Sequence, residues 1–320
     1  MVTEPCSLLS AEIGEPLAGT APHALTWVAV EHPGPWGRDA IAESVLPDAT
    51  RALLLAFKAA GVQVVLMRRP GRREAAHGTV VLVARTAPGG AYTRRAVVPD
   101  LADLGDLARV DPADLAAGRL PALEQGTREP VLLVCTHGRR DACCARLGRG
   151  LLDTLAALAT PEQSARIWEC SHLGGHRFAP VTLSLPSGMV HGRVTVDEAA
   201  ALLDRLDSDR VIVDRLRGRT ALPAPMQAAE IAVRQALVED RADVLDVLAV
   251  VNGRAVPVDA GWAVPTVESE LEVRHADGRA WRVPVRPVTG QQRRPESCGA
   301  EPTPVHRWET GTPAAAAHWH

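Results

Sequence analysis

The sequence predicts an α/β protein in which two successive units each pair a mixed sheet with flanking helices, followed by a small α+β segment and a disordered tail. Three observations carry this. Up to about residue 210, short apolar runs of strand length alternate with longer stretches of helical periodicity. Two stretches, opening at Thr26 and Pro130, repeat one layout. Beyond about residue 220 the pattern changes, and from 289 the chain is rich in Pro, Gly, Gln and Ala.

The first unit opens with the strand WVAVEH after Thr26 and the loop PGPWGRDA. A helix is expected over 47–60, strands over 62–67, 79–85 and 91–98, and a short helix over 100–109. The second unit opens with VLLVCTH after Pro130 and the loop GRRDACC. A helix over 145–158 follows, then strands over 165–169, 181–185 and 190–194. Pro186, Ser187 and Gly188 make a hairpin turn between the last two. A helix over 196–206 closes the unit, with Thr195 or Asp197 as its N-cap.

Both units read β-α-β-β-α, a parallel βαβ followed by an antiparallel hairpin. That is the thioredoxin-like arrangement, here predicted as tandem thioredoxin-like domains over 1–120 and 128–210. The likeness of WVAVEHPGPWGRDA to LLVCTHGRRDACC is consistent with duplication, with two unrelated α/β units as the alternative. In the segment 221–290, Pro223 and Pro225 precede an amphipathic helix over 226–239. Residues 243–251 fit a helix or a strand, and 269–288 read as a hairpin around Asp277 and Gly278. The tail, 291–320, is expected to be disordered.

Composition narrows the function classes. A net charge of −3 gives no electrostatic pull toward nucleic acid or an anionic membrane surface. Of the 35 basic residues only Lys58 is lysine, a codon bias rather than a binding surface. No run of about 18 apolar residues offers a membrane span. The acidic N-terminus lacks the pattern of a secretory signal, so a cytoplasmic location is expected. Six cysteines in 320 residues are too few for a disulfide scaffold. In a reducing compartment, clustered cysteines point to metal or redox chemistry.

The chemistry concentrates in two strings. Cys135 and Cys144 form C-x8-C, and 27 residues later His172 and His176 form H-x-G-G-H. Two thiolates and two imidazoles complete a four-ligand set that suits zinc or an iron–sulfur cluster. Cys135 ends a predicted strand and Cys144 opens the next helix, so the pair sits at a sheet end, where α/β proteins place their sites. Gly174 and Gly175 argue for a loop whose backbone closely approaches a bound group. A zinc finger would space its cysteines by two to four residues and set its histidines about twelve further on, unlike this chain.

The strings VCTHGRRDACCARLG and WECSHLGGHRF resemble the sucrase/ferredoxin-like family, and EHPGPWGRDA resembles that family's first half. The resemblance covers roughly residues 5–205. It implies a thioredoxin-like ferredoxin domain whose [2Fe–2S] cluster is held by Cys135 and Cys144 on one iron and His172 and His176 on the other. Cys143 adjoins Cys144 and could compete with it; the x8 spacing of the family's motif favours Cys144. Cys170 reads as a small buried side chain. Cys6 and Cys298 fall in segments expected to be flexible and are given no local role.

Replacing two thiolates by neutral imidazoles makes the oxidised site neutral rather than dianionic. The implied potential therefore lies in the histidine-ligated range of about −150 to +300 mV. Coupled loss of an imidazole proton would make it pH-dependent. Arg139, Arg140 and Arg177 flank the ligands, either to stabilise the reduced site or to dock an acidic partner. Gly174, Gly175, Arg139, Arg177 and Cys143 are thus the expected surroundings of the cluster. His137 reads as a surface or packing residue and Trp168 as core. The first unit has no cysteine after Cys6, so it reads as a scaffold or docking domain.

The leading functional expectation is a one-electron carrier or redox sensor that exchanges electrons with an unidentified redox protein. A structural zinc protein and a thiol–disulfide oxidoreductase are the alternatives, the latter weakened by the lack of C-x-x-C.

Overall fold

The computed structural model describes residues 4–72, 78–87, 90–119, 126–258 and 262–316. Nine strands in its first 219 residues form one mixed sheet. They are β1 (Thr26–Glu31), β2 (Gln63–Arg68), β3 (Thr79–Arg85), β4 (Tyr92–Val98), β5 (Val131–Cys135), β6 (Ile167–Cys170), β7 (Val181–Leu185), β8 (Met189–Gly192) and β9 (Leu216–Arg219). Their order is β4-β3-β1-β2-β6-β5-β7-β8-β9. The pairs β1–β2 and β5–β6 are parallel; the others are antiparallel.

The expected layout recurs in both halves: a parallel βαβ pair, then an antiparallel hairpin added beside its first strand. The halves meet edge to edge, where Met67 pairs with Cys170 and Arg68 with Glu169. At that seam the buried Arg68 guanidinium donates to Glu169 at 2.7 Å. The join covers two apolar edges that would otherwise invite association with other chains.

The helices follow from periodicity. They are α1 (Cys6–Glu12), α2 (Asp48–Ala60), α3 (Pro112–Ala116), α4 (Arg149–Leu158), α5 (Pro161–Ser164), α6 (Ala199–Asp207) and α7 (Ala224–Leu237). On α2, Leu54 and Phe57 pack against Val28, Val30, Val64 and Leu66. On α4 and α6, Leu151, Leu155, Leu202 and Leu206 pack against Leu132, Val134 and Ile167. Successive strand residues face opposite ways, so Ala29, Met67, Leu133, Cys135 and Cys170 line the other face.

Several boundaries depart from expectation. The helix expected over 100–109 is a 3-10 turn over Gly105–Arg109 followed by α3. Gly105 takes a left-handed φ of 59°, and the Asp111 carboxylate then caps α3 by accepting from Ala113 N–H. The helix expected from 145 begins as a single π turn, Cys144–Gly148. Before the closing helix, Thr195 rather than Asp197 caps, in a capping box with Glu198.

A second sheet follows, built from β10 (Leu245–Val251), β11 (Arg254–Val256), β12 (Ser269–His275), β13 (Ala280–Pro295), β14 (Pro302–Thr310) and β15 (Ala314–Ala315). Its order is β11-β10-β12-β13-β14, with β15 beside β13. Met226, Ala229 and Val233 of α7 pack on Val247, Val273 and Val283 of that sheet. Glu230, fully buried on the same helix, accepts from Arg219 of β9 at 2.8 Å and from Arg234 at 2.7 Å. The expected hairpin around Asp277 and Gly278 is present as β12–β13.

The disordered tail expected over 291–320 is corrected. Residues 291–295 extend β13, and β14 returns beside it with Val305 buried. Arg294, also buried, pairs with Glu15. This ordering comes from the β13–β14 pairing together with the Arg294–Glu15 contact to the far end of the chain, neither of which local composition reveals. Residues 317–320 lie outside the described residues. Among the described residues, no helix is long and apolar enough to cross a membrane.

Candidate metal centre

Cys135 is the last residue of β5, next to the central strand β6 of the nine-stranded sheet. Its neighbour Thr136 donates its N–H to Cys170 O, so the chain leaves the sheet beside β6. The loop then turns on the His137 carbonyl, which accepts from Arg140 and Asp141 N–H. The π turn brings Cys144 back under Cys135, close enough for their thiols to hydrogen-bond. Gly148 makes this return feasible, because a Cβ there would collide with the Cys135 carbonyl oxygen.

His172 and His176 leave the end of β6 in a loop. Gly174 and Gly175 adopt left-handed φ values of 80° and 72°, the conformation that glycine takes without strain. The reversal stacks the two imidazoles with centroids 4.3 Å apart and planes 20° from parallel. His176 Nδ1 lies 3.8 Å from Cys144 Sγ. Gly174 N–H donates to His172 Nδ1 at 3.4 Å. The structure thus brings Cys135, Cys144, His172 and His176 to one end of the sheet.

The electrostatics favour anionic sulfur and neutral imidazole. The hydrogen bond from Cys144 holds the Cys135 thiol well below its usual range, with burial opposing and His172 and the His137 N–H assisting. The Cys144 thiol moves the opposite way, raised by the same contact with Cys135 and by burial. Burial, reinforced by His172, lowers His176 to about 4, which keeps its imidazole neutral.

Arg217 on β9 lies behind the histidine loop and is 2% exposed. It donates to Gly174 O at 2.8 Å, to Thr20 O, and to Thr20 Oγ1 at 3.1 Å. Among the described residues no carboxylate forms an ion pair with it; burial and the Arg177 charge lower its guanidinium to about 9, with Cys144, Cys135 and Glu15 favouring its charge. It also fills the space against Gly175, where a Cβ would strike the guanidinium.

The flanking residues divide. Arg139 and Arg140 are exposed on the cysteine loop. Arg177 instead packs over Phe178 and pairs with Glu15 at 2.8 Å. His137 is a buried packing residue, not a surface one; its Nε2 lies 2.7 Å from Gly37 O and its ring meets Trp36 edge-on. Loop 33–38 of the first half therefore docks against the cysteine loop. Trp168 and Cys170 are buried in the core, as expected.

Cys143 points away from this set. Its Sγ lies 3.6 Å from Cys6 Sγ and 3.3 Å from Cys298 Sγ, and Cys298 is 3.7 Å from Cys6. Asp141 completes a second group. Among the described residues, Cys6, Asp141, Cys143 and Cys298 are the group whose ligand atoms all lie within 4.8 Å of one another, as a single metal ion requires. The set of Cys135, Cys144, His172 and His176 is more widely spaced. The expectation that Cys6 and Cys298 have no local role is therefore corrected. They are 292 residues apart, and no spacing rule connects such positions. The six free cysteines and the DACC string were the signals present.

A family model described as Suc_Fer-like, sucrase/ferredoxin-like, matches residues 17–218, which span the nine-stranded sheet up to β9. The chain is also similar to the Altered inheritance of mitochondria protein 32 of Meyerozyma guilliermondii. They are 28% identical over 102 residues, which is 30% of this chain and 36% of that protein. The chain thus spans about a third of the length of that relative. No solved structure matches.

Proposed function

This chain belongs to the sucrase/ferredoxin-like family, and from that premise we propose that it is an electron-transfer or redox-sensing protein. In this reading Cys135, Cys144, His172 and His176 bind a [2Fe–2S] cluster, and each half of the large sheet is a thioredoxin-like unit. The observation that carries the reading is the meeting of two cysteines and two histidines, from separate loops, at one sheet end.

The donor set fits the group. Two thiols and two imidazoles supply the soft and borderline ligands that iron–sulfur cores take. A core of two irons and bridging sulfides is wider than one ion, which suits donors too far apart for a single metal. The left-handed Gly174 and Gly175 keep the histidine loop free of side chains. When bound, the cluster would accept and release one electron. Arg217, a buried cation with neutral hydrogen-bond partners, would stabilise the added negative charge. The pH-dependent potential expected of imidazole ligation belongs to the same reading.

Exposed Arg139 and Arg140 beside the cysteine loop offer an acidic redox partner a docking point. Six free thiols fit a reducing, cytoplasm-like compartment. The test is the visible spectrum of anaerobically purified protein, read with its iron and sulfide content. The expected result is a reddish-brown chromophore bleached by dithionite and lost in Cys135→Ser. His172→Cys and His176→Cys are expected to retain a chromophore at lower potential. A colourless wild-type protein that cannot be reconstituted with iron and sulfide would overturn the reading.

A further inference from the structure

We propose that Cys6, Asp141, Cys143 and Cys298 form a structural zinc site, separate from the four-ligand set and independent of it. The argument begins with distance. In a tetrahedral zinc site with Zn–S of about 2.3 Å, neighbouring sulfurs sit about 3.8 Å apart, and sulfur and carboxylate oxygen about 3.6 Å apart. The three Sγ–Sγ separations here are 3.6, 3.3 and 3.7 Å. Asp141 Oδ1 stands 3.8 Å from Cys6 Sγ and 3.5 Å from Cys298 Sγ, and the four ligand atoms all lie within 4.8 Å of one another. Three thiols and one carboxylate oxygen are therefore spaced as a single four-coordinate ion requires. That spacing accommodates one ion and leaves no room for a cluster's own sulfides.

The surroundings support a closed cation site. Cys6, Asp141 and Cys143 are each at most 3% exposed, and Cys298 is half-buried. Both Asp141 oxygens are oriented by backbone donors: Cys143 N–H at 2.8 Å on Oδ1 and Cys298 N–H at 2.9 Å on Oδ2. A carboxylate held by two N–H groups is the ionised form. Among the described residues no arginine or lysine pairs with it. Three thiols and an ionised carboxylate, largely buried and without an arginine or lysine partner among the described residues, leave negative charge that a divalent ion would balance. A closed, four-coordinate set with three sulfurs selects zinc over harder ions.

The ligands come from α1, the cysteine loop and the turn after β13. The ion would therefore tie both ends of the chain to the second half of the sheet. α1 also lies against the short turn His176–Phe178, so the tie would hold the cover over the histidine loop.

The test is metal content and cobalt substitution on the full chain, with far-UV circular dichroism as the folding control. Wild-type protein is expected to carry one zinc per chain that resists brief chelation. The double variant Cys6→Ser, Cys298→Ser should lose it, whereas Cys135→Ser should keep it. Cobalt(II) in wild type should show the intense visible bands of a tetrahedral thiolate site. Asp141→Asn, which retains all three thiols, should bind cobalt at least tenfold more weakly. Three results would overturn the proposal. One is zinc content unchanged in the double variant. Another is zinc lost with Cys135 but kept without Cys6 and Cys298. The third is metal-free native protein with a Cys143–Cys298 disulfide after anaerobic purification.

Discussion

Arg294 grips Glu15 with two guanidinium nitrogens, Nη2 at 2.6 Å from Oε1 and Nε at 2.8 Å from Oε2, across 279 residues of sequence. Both side chains are 1% exposed. The fork–fork geometry is the strongest form of this pairing. It anchors the end of β13 to the segment after α1, next to the proposed zinc site. Removing Arg294 leaves Glu15 with Arg177 and Ser10, and removing Glu15 leaves Arg294 with Glu296 and Thr303. Arg294→Met or Glu15→Gln is therefore expected to lower unfolding free energy by about 1.5–3 kcal/mol, the worth of a hydrogen bond to a charged group. The double variant should cost less than the two single losses added together. Urea unfolding midpoints at pH 7 check this; a loss of under about 1 kcal/mol in both single variants would show that the pair contributes little.

The same carboxylate sets an acid limit. Burial opposes ionisation of Glu15, but the Arg294 hydrogen bonds, the Arg177 charge and the Ser10 hydroxyl outweigh it and hold the carboxyl below its usual 4.5. A carboxyl depressed in the folded state contributes its stability above the unfolded value and loses it as pH falls through the folded one. Stability is therefore expected to fall as pH drops below about 4.5. Glu15→Gln should flatten that part of the curve. Denaturation midpoints measured between neutral pH and the acid limit of folding would show it.

These long-range ties explain what could be read in advance. Residues 79–85 and 181–185 have the expected strand bounds because alternation and turn residues encode them locally. The gathering of Cys135 with Cys144 and of His172 with His176 was visible because each pair lies within one short loop. The β2–β6 seam, the Arg217 support and the gathering of Cys6 with Cys298 were not, since each joins positions far apart in the chain. The order of the tail is hidden in part for the same reason, through the Arg294–Glu15 pair. Its residues satisfy β13–β14 pairing and the Glu15 anchor, and the β14 sequence PTPVHRWET lacks the alternation that would have marked a strand.

The two glycines of the histidine loop should tolerate substitution unequally. Both have left-handed φ, so alanine at either costs about 1–2 kcal/mol in backbone strain. At Gly174 an added Cβ meets open space, whereas at Gly175 it meets the buried Arg217 guanidinium. Arg217 cannot swing aside without breaking its bonds to Gly174 O and Thr20. Gly175→Ala is expected to destabilise the fold clearly more than Gly174→Ala, and to disturb the stacking of His172 on His176. Equal unfolding midpoints for the two variants would show that Arg217 moves freely.

Arg217 also provides a test of electrostatics at the proposed cluster. A buried cation favours the more negative member of a redox pair, and the hydrogen bonds of Arg217 go to the neutral groups Gly174 O and Thr20 rather than to a carboxylate. Arg217→Gln keeps hydrogen-bonding capacity but removes the charge. The midpoint potential should fall, by roughly 60 mV for every ~1.4 kcal/mol of lost attraction in a one-electron couple. Arg217→Lys keeps the charge on a different head group and should stay nearer the wild-type value. Protein-film voltammetry with parallel visible spectra separates this from mere cluster loss. A glutamine variant with an intact chromophore and an unchanged potential would remove Arg217 from the redox site and leave it a structural prop for the histidine loop.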